Sequence, residues 1–322
     1  MAKIVALGEI LIDFTPNGIN EQGMQLFARN PGGAPANVLA MNAKLGATSA
    51  FIGKVGGDQF GQFLIQTLEE CGVCTDGVVE DNACPTSLAF VHLDEQGDRS
   101  FSFYRNPGAD TLLSFSEVNT ALIDDCSIFH FGSVSLTDDP CRTATFRAVE
   151  YAKSRGKLIS FDPNYRPFLW KNPAEARSLM LQGAAMTDIL KVSDEEMVLL
   201  TGETSVLTGA EKLLSMGPSL VLVSMGAAGA YYLNPVCSGH LPAYAVNTID
   251  TTGAGDAFVG AVLYHLSDKT VEEIQQMSNN ELAKIVRFAN AAGSLTTTKS
   301  GAIPALPKLS DIECCISSDI AD

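Results

Sequence analysis

A glycine-rich turn runs directly into an apolar helix at residues 250–266, and this segment carries the residues best suited to chemistry. Apolar residues recur every three or four positions after Asp256, which predicts a helix with a buried face. Gly253, Ala254 and Gly255 lie at its N-terminus, where unpaired N–H groups and the helix dipole attract anions. A carboxylate at such a site favours a role for Asp256 as proton acceptor. Alone, it could equally stabilise its own helix by about 0.3–1 kcal/mol.

A second glycine-rich junction lies far upstream. Gly32 and Gly33 precede a helix that is predicted to run to about Leu45 and to end at Gly46. The glycines allow a ligand to approach the backbone, and Asn37 offers both a donor and an acceptor to a hydroxylated ligand. Taken alone, the segment could be an ordinary helix start with a packing glycine pair.

The two junctions together carry a family resemblance. Asp-Thr-Thr-Gly-Ala-Gly-Asp-Ala-Phe at 250–258 and Asn-Pro-Gly-Gly-Ala-Pro-Ala-Asn-Val at 30–38 resemble the two signatures of the ribokinase (PfkB) family of carbohydrate kinases. The resemblance extends over roughly residues 3–308. It implies a ribokinase-like three-layer α/β core with a mostly parallel, doubly wound sheet, and a small β-sheet lid. It also implies transfer of the γ-phosphoryl group of ATP to a sugar, with Mg²⁺ and K⁺ as the expected ions.

Composition narrows the possible partners. The chain has 322 residues, of which 46% are hydrophobic, and 21 Lys and Arg stand against 37 Asp and Glu, a net charge of −16. Nucleic acid and anionic membranes would be repelled, so neither is expected as a partner. No apolar run approaches the 18 or so residues of a membrane span. The eight cysteines form no complete zinc-ligand pattern, and reduced thiols in a cytoplasmic protein are expected.

Hydrophobic periodicity divides the chain into two kinds of structure. Alternating apolar residues between 85 and 110 predict a hairpin that turns at 94–98. Together with the segment before residue 32, this hairpin resembles the small lid of the family, and the resemblance implies a discontinuous β lid at 15–31 and 85–110 and an α/β core at 1–14, 32–84 and 111–322. Within the core, predicted strands at 128–132, 157–162, 189–192 and 220–224 alternate with predicted helices at 143–155, 174–185, 194–201 and 206–216.

The resemblance implies a set of sugar-binding residues. A strand at residues 10–14 is expected to deliver Asp13 to a strand end, although in isolation Asp13 could be a turn residue. The segments around Arg105 and Arg166 are closer to fructokinases than to ribokinases proper, although either arginine could simply be solvated. The full set comprises Asp13, Gly32, Gly33, Asn37, Arg105, Asn106, Asn164 and Arg166.

Nucleotide and metal positions also follow from the resemblance. Ser193 stands where ribokinases carry Asn, which puts its role in question, while Glu196 is retained and is expected to reach Mg²⁺ through water. The expected nucleotide-binding residues are Ser193, Ser224, Gly226, Gly229 and Asn290. Asp250, Thr252 and Gly301 are expected to border a site for a monovalent cation, K⁺.

These patterns predict an ATP-dependent sugar kinase that converts fructose to fructose 6-phosphate. Gly53-Lys54 does not form a Walker A loop, so the kinase interpretation depends on residues 253–256. 2-Keto-3-deoxygluconate and ribose are the alternative acceptors. A catalytically silent sugar- or nucleotide-binding regulator is the alternative of another class, and a homodimer formed through the lid is a further expectation.

Overall fold

The computed structural model describes residues 3–93 and 99–319. The strands, in chain order, are β1 (Ile4–Leu7), β2 (Leu11–Ile19), β3 (Gln25–Gly32), β4 (Ser49–Gly56), β5 (Val73–Asp81), β6 (Leu88–Leu93), β7 (Arg99–Tyr104), β8 (Ile128–Gly132), β9 (Leu158–Asp162), β10 (Ile189–Ser193), β11 (Leu220–Ser224), β12 (Ala230–Leu233) and β13 (Ser238–Leu241). The helices are α1 (Ala34–Lys44), α2 (Gln59–Glu70), α3 (Thr120–Asp125), α4 (Cys141–Ser154), α5 (Pro173–Ala185), α6 (Asp194–Thr201), α7 (Val206–Leu214), α8 (Ala254–Leu266), α9 (Val271–Gln275), α10 (Asn279–Thr296) and α11 (Leu309–Asp319).

A large sheet forms the middle layer of the core. Within the described residues it has nine strands in the order β13-β12-β11-β10-β9-β8-β1-β4-β5. The strands from β11 to β5 pair in parallel, and β12 and β13 continue the sheet in antiparallel pairs at one edge. Reversal of the strand order on either side of β1 makes the sheet doubly wound, as predicted.

Helices cover both faces of this sheet. Strand β1 reads Ile-Val-Ala-Leu and is buried throughout, because a central parallel strand has helices on either side. Ile4 and Ala6 belong to a core cluster with residues of α1, α8 and α10, whereas Val5 and Leu7 belong to a second cluster with residues of α4, α5, α6 and α7. The alternation of β1 side chains therefore defines three layers.

A separate small sheet has the order β3-β2-β6-β7, with a parallel pair at β2 and β6 and antiparallel pairs elsewhere. It reaches further than the segments 15–31 and 85–110 predicted for the lid, because β2 already begins at Leu11 and β3 continues to Gly32. Asp13 therefore lies inside a strand of the small sheet, opposite Asn30, and its expected place at a strand end was wrong. The predicted turn at 94–98 lies outside the described residues.

The predicted strands and helices of the core between residues 128 and 224 are confirmed to within two residues at each end. Across the described ranges, no helix is long and apolar enough to cross a membrane.

Candidate active site

The N-terminus of α8 faces the junction between the core and the small sheet. Gly253 precedes the helix with φ of 78°, a left-handed conformation that favours glycine, and a methyl group there would meet Ala302 at 2.7 Å. The N–H groups of Gly253, Ala254 and Gly255 form the start of the helix and are called the anion hole below. Asp256 follows in the first turn and is only 7% exposed.

Two asparagine side chains hold the Asp256 carboxylate. The amide of Asn37 in α1 donates to Oδ2 at 2.7 Å, and the amide of Asn164, after β9, donates to Oδ1 at 2.9 Å. Asn164 has φ of 49°, an uncommon conformation for a residue other than glycine. Helices α1 and α8 approach closely at Gly260, where a methyl group would meet Met41 at 2.7 Å. One oxygen of the carboxylate is thus fixed by each asparagine.

The surroundings of Asp256 suit a group that must gain a proton during reaction. Burial raises the pKa of Asp256 above its usual value. The hydrogen bond from Asn37 and the positive charge of Lys191 act in the opposite direction. The charge of Arg166 and the hydrogen bond from Asn164 lower the pKa further. The carboxylate is therefore more basic than in water and still held in place as an anion.

Asp13 projects from β2 toward the same region. A methyl group at Gly32 would overlap its carboxylate, so a larger residue there would displace the Asp13 side chain. Burial raises the pKa of Asp13 to about 6, the charge of Arg166 lowers it, and the charges of Asp256 and Asp250 raise it. Asp13 thus lies within electrostatic reach of the proposed base. Arg166 itself is exposed, and one of its terminal nitrogens donates to the Tyr165 carbonyl at 3.3 Å.

Glu9 is a buried carboxyl to which the sequence assigned no role. Its Oε1 accepts a hydrogen bond from the backbone N–H of Ala34 at 3.0 Å, directly after Gly33, which has φ of 113°. Burial raises the pKa of Glu9 to about 7, against the hydrogen bonds from the backbone N–H groups of Glu9 and Ala34. Glu9 thereby holds the glycine junction at the start of α1.

Arg105 lies in a buried ion pair. Its guanidinium donates to Asp110 at 2.7 Å, to the hydroxyl of Thr137 at 2.9 Å and to the carbonyl of Val134 at 3.1 Å. The side chain is 4% exposed, so the alternative of a solvated arginine on an edge strand was wrong. Through these hydrogen bonds the Arg105 guanidinium joins the end of β7 to the core. The neighbouring Asn106 is exposed.

Ser193 and Glu196 form the capping box of α6. The backbone N–H of Glu196 donates to Ser193 Oγ at 3.1 Å, and the N–H of Ser193 donates to Glu196 Oε2 at 2.8 Å. The other oxygen, Oε1, accepts from the N–H of Tyr165 at 2.7 Å. Glu196 therefore joins α6 to the loop that carries Asn164. A metal ion bound here would contact a carboxylate that already has this structural role.

A buried ion pair lies beside Glu196. Lys191 Nζ donates to Asp162 Oδ2 at 2.9 Å, with side chains that are 9% and 2% exposed. The sequence assigned neither residue a role. A lysine inside a buried apolar strand was the available signal, because lysine is almost never fully buried without a partner.

The expected nucleotide-binding residues lie along the carboxyl side of β10 and β11 and in α10. The hydroxyl of Ser224 donates to the carbonyl of Val192 at 3.4 Å, and Gly226 and Gly229 bound the turn between β11 and β12. The amide of Asn290 in α10 donates at 3.0 Å to the carbonyls of Leu241 and Pro242. Asn290 thus fixes the segment that follows β13.

Asp250 connects two loops next to the anion hole. Its Oδ1 accepts from the N–H and the hydroxyl of Thr252 at 2.9 and 2.7 Å, and its Oδ2 accepts from the N–H of Gly301 at 2.9 Å. The three residues expected to border a cation site are therefore brought together. Carboxylate and backbone carbonyl oxygens are suitable ligands for a hard cation.

Comparison with known proteins identifies the family to which the chain belongs. Residues 1–309 match the model of the pfkB family of carbohydrate kinases. The chain belongs to this family. It is 45% identical over 312 residues to fructokinase-1 of Zea mays, with 96% of each chain covered.

Solved structures of similar fold agree with this membership. The crystal structure of fructokinase with bound ATP from Xylella fastidiosa superposes with a TM-score of 0.91 at 35% identity, covering 99% of this chain and 100% of that one. A double mutant of fructokinase from Vibrio cholerae O395, in a form with fructose, ADP and potassium ion bound, gives a TM-score of 0.88 at 36% identity, with 98% of each chain covered. As a pfkB-family protein, the chain is a carbohydrate kinase.

Proposed function

We propose that the protein is a fructokinase, which transfers the γ-phosphoryl group of ATP to the primary hydroxyl of fructose and yields fructose 6-phosphate and ADP. The observation that carries the proposal is the buried Asp256 carboxylate, which Asn37 and Asn164 hold beside the anion hole. The similarity to fructokinases over almost the whole chain supports the choice of acceptor.

Asp256 acts as the base in this reaction. It accepts the proton of the primary hydroxyl as that oxygen bonds to the γ-phosphorus, while the bond between the γ-phosphorus and the bridging oxygen breaks and ADP leaves. The N–H groups of Gly253, Ala254 and Gly255 donate to the charge that develops on the transferring group. Base and anion hole belong to one helical turn, so their relative position is fixed.

Asp13 is the main acceptor for sugar hydroxyls in this proposal. A carboxylate can accept hydrogen bonds from two neighbouring hydroxyls, and the half-buried position of Asp13 limits their replacement by water. Asn37 and Asn164 keep their amide oxygens available, because both use the amide nitrogen for Asp256. Arg166 is exposed, and its positive charge acts on both Asp13 and Asp256. Its guanidinium is suited to binding a phosphate oxygen. We keep Gly32, Gly33, Arg105 and Asn106 as further parts of the proposed sugar site.

Mg²⁺ and K⁺ are the ions that we propose. The part of the chain that is described contains no group of three or more His, Cys, Asp or Glu that could hold a metal ion. Mg²⁺ keeps several waters and binds largely through substrate phosphates, and we propose Glu196 as the carboxylate that reaches it through water. When bound, Mg²⁺ neutralises charge on the phosphates. K⁺ fits the loops that Asp250 joins, and the potassium-bound form of the fructokinase from Vibrio cholerae supports K⁺ as an ion of the enzyme.

The small sheet is proposed as a lid and as the surface of a homodimer. Several of its apolar side chains are exposed: Ile19, Met24, Leu26, Phe27 and Tyr104. Phe90 packs edge to face against Phe27 at 5.8 Å and Tyr104 at 5.6 Å, so these rings form one apolar surface. A second copy of the sheet would cover that surface. We also propose that the chain divides into the core and the lid given above, and that the protein is cytoplasmic.

A coupled assay of ADP release tests the acceptor. The purified protein is supplied with Mg²⁺-ATP and K⁺ and with fructose, ribose, glucose or 2-keto-3-deoxygluconate at equal, subsaturating concentration. Fructose is expected to give the highest rate. A tenfold or greater advantage of the keto acid would overturn the acceptor and leave the mechanism around Asp256 intact. No ADP release with any sugar would favour a silent regulator.

A further inference from the structure

Lys191 lies directly beneath the anion hole. It is part of β10, under the first turn of α8, and it is 7% exposed. A methyl group placed on Gly255 would lie 3.2 Å from Nζ of Lys191, so the ammonium group is almost in contact with the backbone that forms the hole. Asp162, at the end of the adjacent strand β9, accepts from Nζ at 2.9 Å and fixes its position.

We propose that Lys191 is a positioning residue for phosphoryl transfer, the buried cation that acts on Asp256 and on the charge at the anion hole while Asp162 holds it in place. The inference rests on the proposed kinase function. It assigns a role to an ion pair that contacts neither the sugar nor the nucleotide in the mechanism above.

The groups around Lys191 keep it charged. Burial acts to lower the pKa of Lys191, but the carboxylates of Asp162, Glu196 and Asp256 raise it above its usual value. On the opposite side, in β8, burial and then the charge of Lys191 lower the pKa of His130 to about 3, so that imidazole is neutral. Lys191 is the buried cation among these groups and faces carboxylates from β9, α6 and α8, whereas Arg166, whose charge also lowers the pKa of Asp256, is exposed.

A cation in this position favours the reaction in two ways. It lowers the pKa of Asp256 against the effect of burial, so that the base stays ionised and ready to accept a proton. It also places a full positive charge behind N–H groups that carry only partial charges. Because the site is buried, this attraction is screened less by water and salt than a surface charge would be.

Asp162 offsets the energetic cost of burying the ammonium group of Lys191. An unpaired buried ammonium is strongly unfavourable, and removal of only one member of a buried pair typically destabilises a protein. Burial raises the pKa of Asp162, and the charge of Lys191 opposes this rise. Replacement of both partners by neutral residues is far better tolerated, which provides a folded variant for the test.

The test compares Lys191→Met with the double variant Lys191→Met/Asp162→Asn. Both lack the cation, but the double variant also removes the charge of Asp162, the ion-pair partner of Lys191. We expect kcat with fructose to fall by about 10–100-fold in each, less than for loss of a direct donor of the anion hole. KM for fructose and ATP should stay within about threefold of the wild-type values. The acidic limb of the kcat profile should move upward by about one pH unit, because Asp256 loses a neighbouring cation.

Lys54→Met is the matched control. Lys54 is equally buried and pairs with Asp81 at 3.1 Å and Glu117 at 2.8 Å, but not with any group of the proposed site. Its loss should lower thermal stability and leave the pH profile of kcat unchanged. A folded double variant with kcat within about threefold of wild type, or with an unmoved acidic limb, would overturn the role of Lys191. If the wild-type enzyme uses another sugar, only the proposed acceptor fails, and the same comparison is made with that sugar.

Discussion

Asn37 and Asp256 are 219 residues apart in the chain, yet the amide of one donates to the carboxylate of the other at 2.7 Å in a buried site. The contact joins the two glycine-rich junctions of the sequence. Since Asn37 stands in α1 and Asp256 in α8, the packing of these helices at Gly260 sets the geometry of the base. A base held by a neutral amide is fixed in orientation without being neutralised, and this relationship underlies the first prediction.

Asp256→Asn should lower kcat by about 10²–10⁴-fold, the usual effect of losing a positioned base. The asparagine is almost isosteric, so the fold and the affinity for ADP should change little. Turnover is measured by ADP release and ADP binding by calorimetry on the same preparation. Turnover within about threefold of wild type would contradict the assignment of Asp256 as the base.

Fructose binding should weaken below about pH 6, because burial raises the pKa of Asp13 to about 6 and a protonated carboxyl accepts fewer hydrogen bonds. The sign follows from the direction of titration: acceptor capacity is complete above this pKa and is lost as the pH falls through it. Calorimetry with the Asp256→Asn protein avoids turnover and titration of the base, and loss of the Asp256 charge should move the onset to a lower pH. An Asp13→Asn change in that background should remove the pH dependence, and a pH-independent affinity before this change would contradict the prediction.

Activity should rise when K⁺ replaces a bulky organic cation at constant ionic strength. The physical reason is that the loops joined by Asp250, through Thr252 and Gly301, lie next to the N-terminus of α8, so a cation there would stiffen the anion hole. ADP release in potassium chloride and in tetramethylammonium chloride measures the effect. Equal rates in the two salts would leave the cation site without support.

The oligomeric state should depend on the apolar surface of the small sheet. Replacing Phe27 and Tyr104, which are 36% and 65% exposed, by lysine would place charges in the proposed dimer interface and favour the monomer. Sedimentation equilibrium measures the mass of wild type and variant. Leu207→Lys, at a position in α7 that is 49% exposed, is the control and should leave the mass unchanged. A wild-type protein that is monomeric at all concentrations would contradict the dimer.

The sequence predicted the core more completely than the site. Strands such as β8 and β11 follow from short buried apolar runs between helices, and Asp256 and Asn37 stand inside signatures that depend on local backbone geometry. The pairing of Lys191 with Asp162 depends instead on which strands are neighbours and in what register they pair. Hydrophobic periodicity in a single sequence does not give that information. The misplacement of Asp13 has a similar cause, because the apolar pattern of β2 does not tell to which sheet the strand belongs.

Glu9→Gln should stabilise the protein at pH 8 and have little effect at pH 5. Burial raises the pKa of Glu9 from 4.5 to about 7, so the folded protein binds a proton between these values that the unfolded chain releases. Stability is therefore lost as the pH rises through this window, by on the order of 1–3 kcal/mol. A glutamine keeps an oxygen for the N–H of Ala34 and never ionises, so it should escape this loss.

Urea unfolding at the two pH values measures the difference. Glu21→Gln, at an exposed position in the turn between β2 and β3, is the control and should change stability equally little at pH 5 and pH 8. If Glu9→Gln destabilises the protein at pH 8, the ionised carboxylate must contribute more through its charge than its burial costs. The statement that burial raises the pKa of Glu9 would then be wrong. The inference that a carboxyl partly protonated near neutral pH holds the start of α1 would also fail.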